Sequence, residues 1–268
     1  MWGKDNCFYI NRQIDEPEGS ESIFYRHLHA YYEILFFFRG NVAFSVESEQ
    51  KKLEPGDIVL VQPGKYHFAT VGKETYERCV VSFFSSILPA SLQKKIANIG
   101  PFFVSDPPLK HLFHELEDIP SDYADPDDQE IIFQCRLDEI LIRLAEGANA
   151  SSAESYNALT RSVLAYLDSH ISEPINISRM SEELHYSKSH ISNAFTKSMN
   201  CSLMRYVRSK KIMAAHALIE SGVKPKKAAE ECGFEDYSTF YRSYCKIIGH
   251  SPSRTEGGTF DASDDNRH

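Results

Sequence analysis

Met180-Ser-Glu-Glu-Leu-His-Tyr-Ser-Lys-Ser-His-Ile-Ser-Asn-Ala-Phe-Thr-Lys-Ser-Met-Asn200 and Ala228-Ala-Glu-Glu-Cys-Gly-Phe-Glu-Asp-Tyr-Ser-Thr-Phe-Tyr-Arg-Ser-Tyr-Cys-Lys-Ile-Ile-Gly249 are two renderings of one pattern. Aligned, Ile191 falls on Phe240, Phe195 on Tyr244, Met199 on Ile248 and Asn200 on Gly249. Each copy reads as a short helix, a tight turn and a second helix with apolar residues at i, i+4 and i+8, which is how a helix-turn-helix unit is written. Asn176 or Ser178 suits the N-cap of the first helix and Ser187 that of the second, and Asn200 tolerates the left-handed backbone that ends it. Opposite the Ile191–Phe195–Met199 stripe lie Ser189, His190, Ser192, Asn193 and Thr196, with Ser187 at their head. These short hydrogen-bonding side chains suit base edges and phosphates. In the second unit Tyr237, Ser238, Tyr241 and Arg242 take that face, and Arg242 fits guanine or a phosphate equally well. Residues 202–221 read as one helix that joins the units and fixes their separation.

Outward from these units the charge changes sign. Residues 159–254 hold 14 Lys and Arg against 9 Asp and Glu, whereas residues 1–158 hold 14 against 25 and the whole chain is −9. A basic module on an acidic body suits a polyanion binder attached to a domain with another task. The 268 residues give two domains room for real cores. No apolar run is long enough to cross a bilayer and the first residues lack a secretory pattern, so a cytoplasmic protein with no membrane partner is expected. Six scattered cysteines without a CxxC pair read as reduced thiols. Small, polar residues 147–158 read as a linker and 255–268 as a disordered tail, leaving domains at 1–146 and 159–254.

Residues 1–105 have β character. Ile34–Phe38, Val42–Val46, Ile58–Val61 and Tyr76–Phe84 are rich in Val, Ile, Phe and Tyr and are separated by Gly, Pro and Asn, as in an antiparallel sandwich or small barrel. Two helical stripes follow. Leu109, Leu112, Phe113 and Leu116 form one, ending near Pro120; Ile131, Ile132, Leu137, Ile140, Leu141 and Leu144 form the other. These stripes either pack on the β structure or make a helix-to-helix dimer contact, and the paired half-sites of many DNA readers favour a homodimer. The expected class is α+β: an N-terminal antiparallel β barrel with two helices, a linker, and an all-α double helix-turn-helix domain.

Within the β region, His27-Leu-His29-Ala-Tyr-Tyr-Glu33 is followed by His67. On one strand His27, His29 and Glu33 would share a face. Three imidazoles and a carboxylate make a sound ligand set for a divalent metal. With Gly40 and Gly56–His67, these residues resemble the two motifs of the cupin family. That resemblance implies either a metal held by His27, His29, Glu33 and His67, or the same residues lining a pocket without one. Tyr31, Phe36 and Tyr66 complete the candidate effector pocket, as rings that stack on a sugar or as plain core. An enzyme with an accessory DNA module is disfavoured, because nothing else in the barrel forms a convergent acid/base set.

The C-terminal residues resemble the AraC/XylS family of bacterial transcription regulators. The resemblance covers residues 159–254 and rests on Ile175-x-Ile-x-x-Met-x-Glu-Glu-Leu184, Ser187-x-Ser-x-Ile-x-x-x-Phe195, Ala229-Glu-Glu-Cys-Gly-Phe234, Ser238-x-Phe240 and Gly249-His-Ser-Pro252-Ser253. It implies two recognition helices in successive major-groove segments, about one turn (~34 Å) apart. The implied base readers are Ser189, Ser192, Asn193, Tyr237, Ser238, Tyr241 and Arg242. The implied partners are double-stranded DNA, a small-molecule effector such as a sugar or its derivative, a second copy of the chain, and RNA polymerase. Four residues depart from the family pattern: His185 at the usual turn glycine, Asn193 at a common Arg, Pro225 opening a helix, and Ala228 in place of a larger aliphatic residue.

Overall fold

A computed structural model describes residues 2–4, 8–15, 22–146, 154–155, 157–171, 173 and 175–253. The expected tail at 255–268 lies outside these residues, as do 147–153 and 156 of the expected linker. Eleven strands are described: β1 (Trp2–Lys4), β2 (Phe8–Asp15), β3 (Ser22–His27), β4 (Tyr32–Arg39), β5 (Val42–Val46), β6 (Glu49–Lys52), β7 (Asp57–Val61), β8 (His67–Val71), β9 (Tyr76–Phe83), β10 (Phe102–Val104) and β11 (Glu154–Ser155). The helices are α1 (Ala90–Ile96), α2 (Pro107–Asp122), α3 (Pro126–Ala145), α4 (Ala158–His170), α5 (Ile177–Leu184), α6 (Lys188–Met199), α7 (Leu203–Glu220), α8 (Pro225–Glu231) and α9 (Tyr237–Ile248).

The strands form two antiparallel sheets, ordered β1-β2-β9-β4-β7-β10 and β11-β6-β5-β8-β3. Their inner faces meet in one core: Leu35, Phe37, Val59 and Val61 from the first sheet against Val42, Phe44, Ala69 and Val71 from the second. The outer face of the first sheet, including Tyr32, Ile34 and Phe36, is covered by α1, α2 and α3. A strand covered on both sides buries both its faces: β9 is buried at every residue, its apolar side chains in the two cores and its Glu77 and Arg78 in ion pairs with Arg12, Arg39 and Asp15. Leu137, Ile140, Leu141 and Leu144 therefore pack on the sheet, and Phe8 stacks on Phe133 with ring centroids 3.8 Å apart. Of the α3 stripe proposed for dimer contact, Ile131 stays exposed, at 59%. Helix α2 runs two residues past Pro120, because a proline in the last turn gives up only one backbone bond. Glu154 and Ser155, expected in an irregular linker, pair instead with Gln50 and Glu49 as an edge strand.

In the C-terminal half α4, α5, α6 and the start of α7 share one core, built on Leu167, Met180, Ile191, Phe195, Met199 and Tyr206. The end of α7 shares a second with α8 and α9, built on Ile212, Ala215, Ala228, Phe240 and Tyr244. Helix α7 is thus anchored in both helix-turn-helix units. Leu28, Tyr66 and Phe68 of the β half join the first of these cores.

Candidate nucleic-acid interface and metal centre

The two units begin and end as their sequence dictates. Asn176 caps α5 by accepting from the amides of Ser178 and Arg179 at 2.8 and 3.3 Å. Ser187 caps α6 by accepting from the His190 amide, and Asp236 caps α9 by accepting from Ser238 and Thr239. Those bonds, the Thr239 contact foremost, hold the Asp236 carboxyl below its usual range. Pro225 sits at the first positions of α8, where its missing N–H costs nothing. Three helices end in left-handed residues: α5 at His185 (φ 58°), α6 at Asn200 (φ 51°) and α9 at Gly249 (φ 85°). Gly249 takes that conformation without a Cβ penalty and Asn200 tolerates it, so the strain falls on His185.

With Ile191, Phe195 and Met199 buried, α6 leaves Ser189, His190, Asn193 and Thr196 exposed and Ser192 half-buried. On α9, Phe240 and Tyr244 are buried while Tyr237, Ser238, Tyr241 and Arg242 are exposed. Arg242 donates only a long 3.4 Å bond, to Thr239, so its guanidinium remains available to a polyanion. Ser187 faces solvent with its hydroxyl engaged by the cap. Lys188 and Lys197 on α6, Lys226 and Lys227 on α8 and Lys246 on α9 are also exposed. Sequence reasoning did not single out Tyr186, 43% exposed at the turn before α6 and edge-on to His190 at 5.3 Å. An aromatic residue beside an N-cap serine was the available signal.

The four candidate metal ligands converge, but by a different route from strand parity. His27 ends β3 in one sheet, His29 lies in the connection, and Glu33 is on β4 in the other sheet. His67 opens β8 directly opposite His27. The potential ligand atoms of all four lie within 4.8 Å of one another. His29 Nδ1 is 2.8 Å from the Tyr31 carbonyl and His67 Nδ1 is 3.0 Å from the Lys65 carbonyl. A carbonyl only accepts, so each Nδ1 carries a proton and donates it. Both Nε2 atoms are buried without a hydrogen-bond partner, and Glu33 Oε2 stands 3.6 Å from that of His29. Burial alone would push the Glu33 carboxyl up, but the His29 contact and the charges of His67, His29 and His27 outweigh it and hold it at about 2. His67 is held well below the imidazole range, by burial first and then by His27 and His29. The group is thus a buried carboxylate facing three imidazoles, with the Nδ1 atoms of His29 and His67 oriented by backbone carbonyls as in many metal sites.

Of the three aromatic pocket candidates, only Tyr31 meets this cluster. Tyr31 stacks on His29 with centroids 3.9 Å apart. Phe36 points to the opposite face of β4 and packs on Phe113 at 4.8 Å, because parity along β4 separates it from Glu33. Tyr66 turns toward the helical half and meets Tyr206 at 5.6 Å.

A β half with a convergent polar cluster, joined to two helix-turn-helix units with exposed polar helices, defines an effector-linked DNA reader. Residues 16–145 match the AraC-like ligand binding domain and residues 180–257 a helix-turn-helix domain. The chain is 25% identical over 232 residues to the HTH-type transcriptional regulator YbfI of Bacillus subtilis, covering 82% of each. It is 23% identical over 263 residues to the arabinose operon regulatory protein of Escherichia coli, covering 93% of this chain and 85% of that one. It is 33% identical over 95 residues to the E. coli multiple antibiotic resistance protein MarA, covering 35% of this chain and 75% of MarA. Among solved structures, ToxT from Vibrio cholerae aligns over 92% of this chain and 97% of its own at 14% identity, with a TM-score of 0.41. The chain belongs to the AraC family of DNA-binding transcription regulators with an N-terminal ligand-binding domain.

Proposed function

We propose that α6 and α9 read two successive major-groove segments and that a small effector in the β half controls how they are presented. The observation that carries this reading is the pair of helices with apolar faces buried and polar faces exposed, both held by α7. Ser189, Ser192 and Asn193 would read bases in the first segment, and Tyr237, Ser238, Tyr241 and Arg242 in the second, with His190 and Thr196 beside them. The domains would be 1–146 and 159–254, and the chain would work in the cytoplasm as a homodimer that meets RNA polymerase on DNA. Ile131, Cys135 and Ile142 form an exposed stripe on α3 suited to a second copy. Genome-wide footprinting tests the DNA reading: protected sites should contain two contacts about one turn apart. Uniform, sequence-independent protection would reject it.

The effector is either a sugar-like polyol or a divalent metal. The arabinose operon relative supports the first. The unpartnered Nε2 atoms of His29 and His67 favour the second, with His27 and Glu33 completing the set. A metal there would supply a charge and a fixed geometry that draw the four side chains together. Metal analysis of purified protein tests the second: near-stoichiometric metal that disappears in His67→Ala supports it, and metal-free protein whose DNA affinity does not respond to added zinc rejects it.

A further inference from the structure

We infer that Glu47 is the joint through which the state of the His27–His29–Glu33–His67 cluster reaches the DNA-reading half. The inference rests on the reading of that cluster as the effector site.

Glu47 lies in the tight turn between β5 and β6, with a left-handed backbone (φ 49°) unusual for its residue type. Its half-buried carboxylate gathers bonds from both halves. Oε1 accepts from the Tyr66 amide at 2.9 Å and from Lys210 Nζ at 3.0 Å, and Oε2 accepts from Tyr206 Oη at 2.5 Å. Tyr206 and Lys210 belong to α7. The Tyr206 ring stands between Tyr66 on the β side and Phe195, a core residue of α6, at 5.6 and 5.4 Å.

The segment 64–66 closes the connection. Gly64 donates its amide to the His29 carbonyl, Lys65 accepts from His67 Nδ1, and Lys210 donates to the Gly64 carbonyl at 3.2 Å. Gly64 has φ +73°, and a Cβ there would stand 3.7 Å from Met213 of α7, so this turn runs close against the helix. A ligand that reorients His29 or His67 acts on 64–66, and 64–66 is bonded to α7 directly and through Glu47. Two arrangements biased by one ligand are what such control requires.

The test uses the full chain as wild type, Glu47→Ala, Tyr206→Phe and the double variant, with backbone amide exchange and DNA affinity as readouts. Tyr206→Phe keeps the ring packing and removes only the donated bond. Without added effector, exchange in segments 62–68 and 203–211 should accelerate about tenfold or more in each variant, since charge-assisted bonds are lost, and the double variant should add little. Zinc chloride is the probe of the cluster. In wild type it should slow exchange at both segments and change DNA affinity. In Glu47→Ala it should still slow exchange at 62–68 but have a much smaller effect at 203–211 and on DNA affinity, since only the direct Lys210–Gly64 bond remains. Unchanged exchange at 203–211 in both single variants overturns the joint, as does undiminished zinc response in Glu47→Ala. If zinc affects nothing in wild type, the metal reading fails, and the exchange comparison without zinc still decides the joint.

Discussion

Arg242 is a long cation on the exposed face of α9, one turn before Lys246, and its role can be read from how its loss distributes over DNA sequences. Arg242→Ala should cost about 1–3 kcal/mol on cognate DNA alone if the guanidinium reads a base. If it binds phosphate, the loss should be uniform and the salt slope should fall by about one. Titration of cognate and scrambled duplexes at several salt concentrations distinguishes the two, and no change in either measure removes Arg242 from the groove. His185 makes a different prediction. Its left-handed backbone, legible in the sequence as a histidine at a turn glycine, should make His185→Gly stabilising by roughly 0.5–1 kcal/mol, visible as a raised urea midpoint. His216 sets a pH dependence. Burial pushes it below the usual 6.5, with His250 adding to the effect and Glu220 opposing it, while Nδ1 lies 2.7 Å from Tyr244 Oη. Below about pH 6.5 the unfolded chain takes up a proton that folded His216 refuses. Its stability is therefore fully present above that pH and lost as pH falls through the window beneath it. Denaturation between pH 7.5 and 5 should show a shallower acid loss in His216→Gln.

Helices and strands were unequally legible. The apolar spacing of α6 and α9 identified their buried faces, since period 3.6 and a single covered side leave no ambiguity. Strands β4, β5, β7 and β9 were also readable, being rich in β-branched and aromatic residues. Strand β6, Glu-Gln-Lys-Lys, was not: it lies toward the edge of its sheet and buries no apolar residue. Nor could the sequence say that the chain leaves one sheet after His27 and enters the other at Tyr32, which is what brings Glu33 beside the histidines and sends Phe36 away. For α3 the stripe alone could not divide packing from assembly; the covering of Phe8 and β9 decides for Leu137 and Leu141. Two substitutions exploit the difference. Phe195→Ala, at a fully buried α6 position, should cost about 3–5 kcal/mol and abolish DNA binding. Ile142→Ser, on the exposed side of α3, should change monomer stability by no more than about 0.5 kcal/mol. On the dimer reading it should weaken self-association in sedimentation runs.

At the scale of the molecule, the two halves share apolar surface as well as hydrogen bonds. Cutting the chain to residues 155–268 would strip Leu28, Tyr66 and Phe68 from the first helical core. The fragment should still shift DNA as a monomer, because α5 to α9 keep both cores, but should melt below the full chain. A fragment that fails to bind any native promoter DNA would count against the domain division. Helix α7, 18 residues or about 27 Å long, is gripped at one end by the α6 core and at the other by the α9 core. A rod held at both ends cannot lengthen to follow its target. One base pair inserted between the two contacts would shift and rotate the second beyond the reach of α9, whereas a base change would cost only its own contact. The sites this protein regulates should therefore drift over evolution by substitution and almost never by insertion or deletion between the two contacts, so that spacing outlasts sequence as the mark of its regulon.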